Sequence, residues 1–432
     1  MLGVGPGRAE DAGGESPASW DAGTISTSDR TALAVLASVT GLGPVTLSRL
    51  IALVGSPTNV LGVAAAPGGA TVLIEVTRDP EVPRSALQEA IASAIVEAAA
   101  RRDEIARRIE RLELRLVALA DPEYPARLRA TEFPPPLLFV RGDPRALSGE
   151  HAVGIVGTRR PTDAGRRIAS RIATSVSRAG ALVVSGLAVG IDGAAHAAAV
   201  AEGRPTVAFI GGGHDRLFPR LHDRLADAIV GGGGAIVSEY APGTEPSKGT
   251  FPRRNRLISG SSDAVVVVEA PARSGALVTA SWALEQGRDC FAVPGSIDAP
   301  ASAGCLALLR DWPDLVHVVS GIPQLLEDLG LAPEAAFSGA HGVRSPVARS
   351  TGRHASPEAA LGALPTSDVA VAAALVHGAV TVDEVVAVTG QPVAAVLGTL
   401  TRLEASGFVI GRHGRYVVAG ALAGASDRRS AA

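Results

Sequence analysis

Residues Thr250 to Ser259 read TFPRRNRLIS, and Lys248 stands two positions upstream. Lys248 is the only lysine in the chain; the other 39 basic residues are arginines. Within nine positions the segment offers one flexible ammonium, the ring of Phe251 and the guanidiniums of Arg253, Arg254 and Arg256. Cations hold phosphates while an aromatic face stacks on a base of any identity. A short basic run is more often a solvated face, so this reading depends on the frame that the rest of the chain supplies.

A second set of candidates lies in glycine-marked turns: Gly157-Thr158-Arg159, Ser185-Gly186, Gly211 to Gly213, and Ser274-Gly275. In an open parallel sheet such loops gather at the carboxyl ends of strands and present free amides to a ligand. Gly157 lets the backbone approach an anion, Thr158 adds a hydroxyl, and Arg159 adds charge beside a helix start that Thr162 or Asp163 can cap. The first turn is not GxGxxG, and no GxxxxGK[ST] occurs, since Lys248 follows Ser247. Dinucleotide oxidoreductases and P-loop ATPases are therefore disfavoured.

Asp192 and His196 follow Ser185 closely enough to suggest a hydrolase, but the glycines of a nucleophile elbow are missing, and Asp192 reads better as a helix cap. Glu269, at the end of an apolar run, is a conceivable acid; it can equally hold loop amides or an arginine of FPRRNR, and that structural role is favoured. No catalytic residue is expected. Cys290 and Cys305 stand in no CxxC or Cys/His spacing, so neither a disulfide framework nor a metal site is expected, and no cofactor motif is present.

These residues need a scaffold, and the chain is long enough for several domains: 432 residues, 47% apolar. The net charge of −3 gives no bulk attraction for nucleic acid, so binding must come from a local patch. No apolar run approaches the roughly 20 residues of a membrane span. The Gly/Ser/Asp-rich opening, 1–27, lacks the blocks of a signal peptide and reads as a disordered tail of a cytoplasmic protein.

Residues 28–118 read as a helical domain. Thr40-Gly-Leu-Gly-Pro44 resembles the turn of a helix-hairpin-helix or SAM-like module, though plain helical packing fits as well. Leu87 to Leu116 is expected to form one amphipathic helix with Ile105, Ile109, Leu112 and Leu116 on one face. Residues 119–330 carry short apolar runs, AVGIV, ALVV, TVAFI, AIVS, AVVVVE and CFAV, alternating with helical stretches. That pattern predicts an α/β fold, an extended Rossmann-like, doubly wound parallel sheet. An Ala/Gly/Ser/Pro-rich linker follows at 331–365. Three helical runs and two short strands about Arg412 to Arg415 then predict a winged helix over 366–420, with a tail at 421–432. Its third helix offers only Arg402, so contact with protein and contact with DNA both remain open for this domain.

The ordered motifs GTRR (157–160), SGLAVGID (185–192), GGGHDRLFP (211–219), SEY (238–240), FPRRNR (251–256), VVEA (267–270), SGALVTA (274–280) and FAVPG (291–295) resemble those of the DNA-processing protein A family, DprA/Smf. The upstream YPARLRATEFPPPLLFVRGDP (124–144) resembles that family's lead-in. The resemblance implies a single-stranded DNA binder that forms a homodimer, protects incoming strands and helps to load the RecA recombinase in transformation. By the same resemblance, Gly157, Thr158 and Arg159 hold phosphates, Lys248 adds a charge contact and Phe251 stacks on a base, while Arg254 and Arg256 shape the pocket. Ser185, Gly186 and Asn255 complete the candidate DNA-binding set. The rival from another class is a nucleotide-binding enzyme of related fold that hydrolyses N-glycosidic bonds; its PGGxGTxxE loop is absent.

Overall fold

The middle strands of the central sheet are short and mostly apolar because both of their faces are covered. In a doubly wound architecture this burial replaces the alternating pattern of a half-exposed sheet. The computed structural model describes residues 25–79, 86–215, 217, 219–247, 249–331, 364–376, 381–406, 408–412 and 415–418. It divides into two units, 1–338 and 339–432. The expected tail at 1–27 falls mostly outside the described residues, as do the linker and the chain beyond residue 418.

Among the described residues the first unit holds nine strands: β1 Arg115–Ala118, β2 Leu137–Gly142, β3 Ala152–Val156, β4 Leu182–Ser185, β5 Thr206–Phe209, β6 Ala235–Ser238, β7 Ala264–Val267, β8 Asp289–Ala292 and β9 Val316–Val318. They form one sheet in the order β1-β2-β6-β5-β4-β3-β7-β8-β9. From β6 to β9 every pairing is parallel, whereas β1 and β2 join antiparallel at one edge. Six of the strands coincide with the apolar runs of the sequence. Strands β1, β2 and β9 extend the sheet on both sides beyond that expectation.

Chain order reverses beside β3. Strands β4, β5 and β6 step away on one side and β7, β8 and β9 on the other, so the loops leaving β3 and β7 diverge and open a crevice at their carboxyl ends. The helices Asp163–Arg178, Ile191–Ala201, Thr250–Gly260 and Gly275–Glu285 start near that end.

The helical region before β1 comprises Thr27–Ala37, Pro44–Val54, Pro57–Ala65, Gly69–Thr77, Glu89–Ala100 and Arg102–Arg111. Its core, with Leu33, Leu36, Leu50 and Ile95, continues into Leu137 and Phe139 of β2. Arg30 pins it to the sheet by gripping the buried carboxylate of Asp121 with two nitrogens. The single amphipathic helix expected over Leu87 to Leu116 is corrected. Two helices meet at Arg101, and the second ends near Leu112, where Glu113 takes a left-handed conformation with φ 52° that turns the chain into β1. Ile105 and Ile109 keep the expected buried face, while Leu116 belongs to the strand.

The second unit contains the helices Thr366–Val376, Val382–Thr389 and Val393–Ala405, followed by the antiparallel pair β10 Val409–Arg412 and β11 Arg415–Val418. Val371, Val385, Val396, Leu400 and Leu403 fill its core. This is a winged helix, as the sequence pattern predicted. No single helix among the described residues is long and apolar enough to cross a membrane.

Candidate nucleic-acid interface

The β3 loop is shaped by what surrounds Gly157. A Cβ there would lie 2.5 Å from Cγ1 of Ile191 and 2.9 Å from the carbonyl oxygen of Glu269, so only glycine lets the loop pass between the two walls of the crevice. The Thr158 amide donates to that Glu269 carbonyl at 2.6 Å, and the Thr158 carbonyl accepts from the Ile191 amide at 3.2 Å. With its backbone held on both sides, the loop projects Arg159 and Arg160 outward, and both are exposed. Thr162 then caps the helix Asp163–Arg178, its hydroxyl accepting from the Gly165 amide at 3.0 Å.

The facing wall comes from TFPRRNRLIS, which folds as the helix Thr250–Gly260. Its cations fall into two environments, set by the partners each side chain reaches. Arg253 is exposed, whereas Arg254 and Arg256 are only 4% and 9% exposed. Phe251 packs over Gly211, where a Cβ would meet the ring at 2.8 Å. The guanidinium of Arg159 lies over that ring, 5.2 Å from its centroid, in cation–π geometry. Across the crevice, Ser274 caps the helix Gly275–Glu285, and Asn255 ties down its first turn by donating to the Gly275 carbonyl at 3.0 Å.

The resulting cleft encloses about 410 Å³. Arg159, Arg160 and Arg273 supply exposed cations, Phe251 supplies a ring, and Gly275 and Ala276 supply the amino end of a helix. Arg254 lies beneath this surface. It donates to the Phe209 carbonyl at 2.6 Å and passes so close to Gly186 that a Cβ there would sit 1.9 Å from its Nη1. Burial pulls the Arg254 pKa down to about 10 against the opposing field of Asp192. The same burial raises the Asp192 carboxyl, with Arg254 working against the shift.

The sequence-derived candidates are thus sorted by position. Gly157, Thr158, Arg159, Phe251, Arg254 and Asn255 converge on the cleft. Ser185 does not: it is fully buried and donates its hydroxyl to the Ile155 carbonyl at 2.6 Å, which corrects its placement as a ligand contact. Gly186 lies behind the cleft, its amide donating to Asp192 at 3.1 Å. Arg256 points into the interior, paired with Glu239 and donating to the Phe133 carbonyl at 2.8 Å; it braces the helix and does not line the cleft. Lys248 lies outside the described residues.

Asp192 was expected to cap a helix. It instead occupies the second position of the helix Ile191–Ala201, and its carboxylate accepts the Gly186 amide, fastening one loop to the next. Glu269 holds a loop amide, as favoured, accepting from the Thr162 N–H at 2.9 Å. Arg160 and Arg273 were missed as cleft residues. Their signal lay in the sequence, since each adjoins a glycine-marked turn.

A doubly wound sheet with exposed guanidiniums and one aromatic ring in its switch-point cleft places the chain among the Rossmann-like α/β proteins. Comparison with known proteins narrows that class. The model of the DNA recombination-mediator protein A family matches residues 115–329, and that of the DprA winged helix domain matches residues 355–415. The chain is 36% identical over 350 residues to the putative DNA processing protein DprA of Mycobacterium tuberculosis, covering 77% of this chain and 85% of that one. It is 43% identical over 195 residues to the DNA processing protein DprA of Bacillus subtilis, covering 45% of this chain and 65% of that relative. In three dimensions it aligns with DNA processing protein A from Streptococcus pneumoniae at a TM-score of 0.54 and 29% identity, covering 71% of this chain and 99% of that one. The chain belongs to the DprA/Smf family.

Proposed function

We propose that this protein binds single-stranded DNA in the switch-point cleft, without sequence preference, as part of DNA processing in transformation and recombination. The observation that carries the reading is the Arg159 guanidinium stacked on the Phe251 ring at the mouth of the cleft. A cation and an aromatic ring are thereby brought together in one cleft, the pairing that holds a strand's phosphates and stacks its bases. Base-edge recognition requires several convergent side-chain donors and acceptors, and Asn255, the amide in the cleft, is already engaged with Gly275. Family membership supports protection of incoming strands, loading of the RecA recombinase and action as a cytoplasmic homodimer without an enzymatic step. Lys248 belongs to this proposal on its sequence position, directly before the helix that carries Phe251.

The test is fluorescence anisotropy with labelled oligo-dT, competed by duplex DNA and by mononucleotides across a salt series. Single strands should win over duplex. Arg159→Ala should lower the slope of log affinity against log salt by about 0.7, the value for one phosphate contact on a single strand. Equal affinity for duplex and single strand, or an unchanged slope in the folded variant, would overturn the assignment.

A further inference from the structure

In doubly wound folds a nucleotide phosphate sits on the amino end of the helix that follows the strand at the switch point, where free N–H groups and the helix dipole attract it. The corresponding place in this chain is the start of the helix Asp163–Arg178, after β3. A side chain of the protein already occupies it. Glu269, two residues beyond β7, reaches across the switch point, and its Oε2 accepts the Thr162 N–H at 2.9 Å. The carboxylate lies so close over the first turn that a Cβ on Gly165 would be 2.1 Å from Oε2 and 2.9 Å from Cδ. Glu269 is only 7% exposed, so its charge is fixed in place. Asp163, at the first helical position, adds a second carboxylate to the same turn.

We infer that Glu269 is a specificity-determining residue, an internal anion that closes the fold's phosphate position and makes the cleft select a polymer over a mononucleotide. This rests on the single-strand reading given above. The charges decide the outcome. A terminal phosphate carries about −1.5 to −2 at pH 7, and at the helix start it would meet a fixed carboxylate in a desolvated setting. An internal phosphodiester carries a single charge and has no need of that position, because Arg159, Arg160 and Arg273 offer cations at the exposed lip of the cleft. Affinity must therefore be gathered from several nucleotides along the lip.

Glu269→Gln separates charge from structure, since the amide oxygen still accepts the Thr162 N–H. Glu269→Ala goes further: it empties the position and leaves the Thr162 N–H without its acceptor. Binding of thymidine 5′-monophosphate is measured directly by calorimetry and as competition against labelled oligo-dT, with melting temperature as the check on folding. Both folded variants are expected to bind the mononucleotide at least about tenfold more tightly than the parent, with oligo-dT affinity within about threefold of it. Unchanged mononucleotide affinity in a folded variant would overturn the inference, as would a parent protein that already binds the mononucleotide as tightly as Glu269→Gln does. Failure of the parent to bind oligo-dT would instead strike the single-strand reading, and the calorimetric arm would still report on Glu269 by itself.

Discussion

The helix Thr250–Gly260 of the sheet unit and the helix Val393–Ala405 of the winged helix use arginine in opposite ways. In the first, Arg254 and Arg256 are buried as braces, and that bracing fixes the ring of Phe251 under Arg159, so an exposed guanidinium is left aimed at a ligand. In the second, Arg402 is bound within its own domain: Nη2 meets Asp368 at 2.6 Å and donates to Thr399 at 2.8 Å, while Nε reaches the other Asp368 oxygen at 3.2 Å. The outward residues of that helix, Val393 and Leu397, are 50% and 42% exposed and have nothing to donate. A third helix that reads DNA needs donors aimed at base edges. The first helix carries three arginines, Arg253, Arg254 and Arg256, and the second carries one; the count does not say which of them a partner inside the protein has already claimed.

The most severe break in that contrast comes from the buried braces. Arg254→Ala leaves Asp192 buried without its countercharge and takes a donor from the Phe209 carbonyl. Each buried polar group left without its partner costs about 1–3 kcal/mol, more where it is charged. Calorimetry should show the sheet unit melting earlier, with the winged-helix transition unmoved.

Acid probes the same interior. His196 lies fully buried, with Nδ1 2.8 Å from the Thr206 hydroxyl, which itself donates to the Val183 carbonyl. The ring is thus held neutral with the proton on Nδ1, and burial pushes its pKa down to about 3. Below about pH 6.5 the unfolded chain binds a proton that the folded one refuses, so stability falls as pH falls, until about pH 3. The loss amounts to about 1.4 kcal/mol per pH unit. His214, pushed down to about 4 chiefly by burial, adds a second contribution of the same sign. The raised carboxyls of Asp192 and Glu239 act in the opposite direction. His196→Asn isolates the histidine: between pH 6.5 and 4.5 the variant should lose about 2 kcal/mol less than the parent in urea titrations. Parallel curves for the two proteins would refute the assignment.

The exposed half of the contrast is tested by Phe251→Ala. Loss of stacking should weaken oligo-dT binding by about 1–3 kcal/mol with little change in salt slope. The smallest effect is expected from the other region. A chain ending at Pro365 should keep oligo-dT affinity within about twofold, and so should the full chain carrying Arg402→Ala. Loss of most affinity in either protein would make the winged helix a DNA module and erase the difference between the two regions.

Much of this arrangement was legible in the chain itself. Short apolar runs between glycines specify strands buried on both faces, and six of the nine strands follow from them. The third helix of the winged helix showed its lack of cations directly. The edge strands were harder to see, because β1 and β9 are partly exposed, carry Arg115 and His317, and are held by pairing with β2 and β8, not by an apolar run of their own. Local periodicity also ran through Leu112 to Leu116 without revealing that Glu113 breaks the helix, a decision taken where β1 docks on the sheet.

Composition and motif spacing alone determined the class of fold, the presence of a winged helix and the segment that carries Phe251. The tertiary structure decided which of four neighbouring cations act outward. Arg254 and Arg256 are equivalent to Arg159 and Arg160 as residue types. They are committed inward because groups from distant parts of the chain reach them: the Phe209 carbonyl and the field of Asp192 for Arg254, Glu239 and the Phe133 carbonyl for Arg256. Likewise, the glutamate of VVEA could be read as an acid or as a tie until the sheet brought it over the Thr162 amide. Buried polar groups must find partners, and which partners are within reach depends on strand order, which no local stretch of sequence encodes.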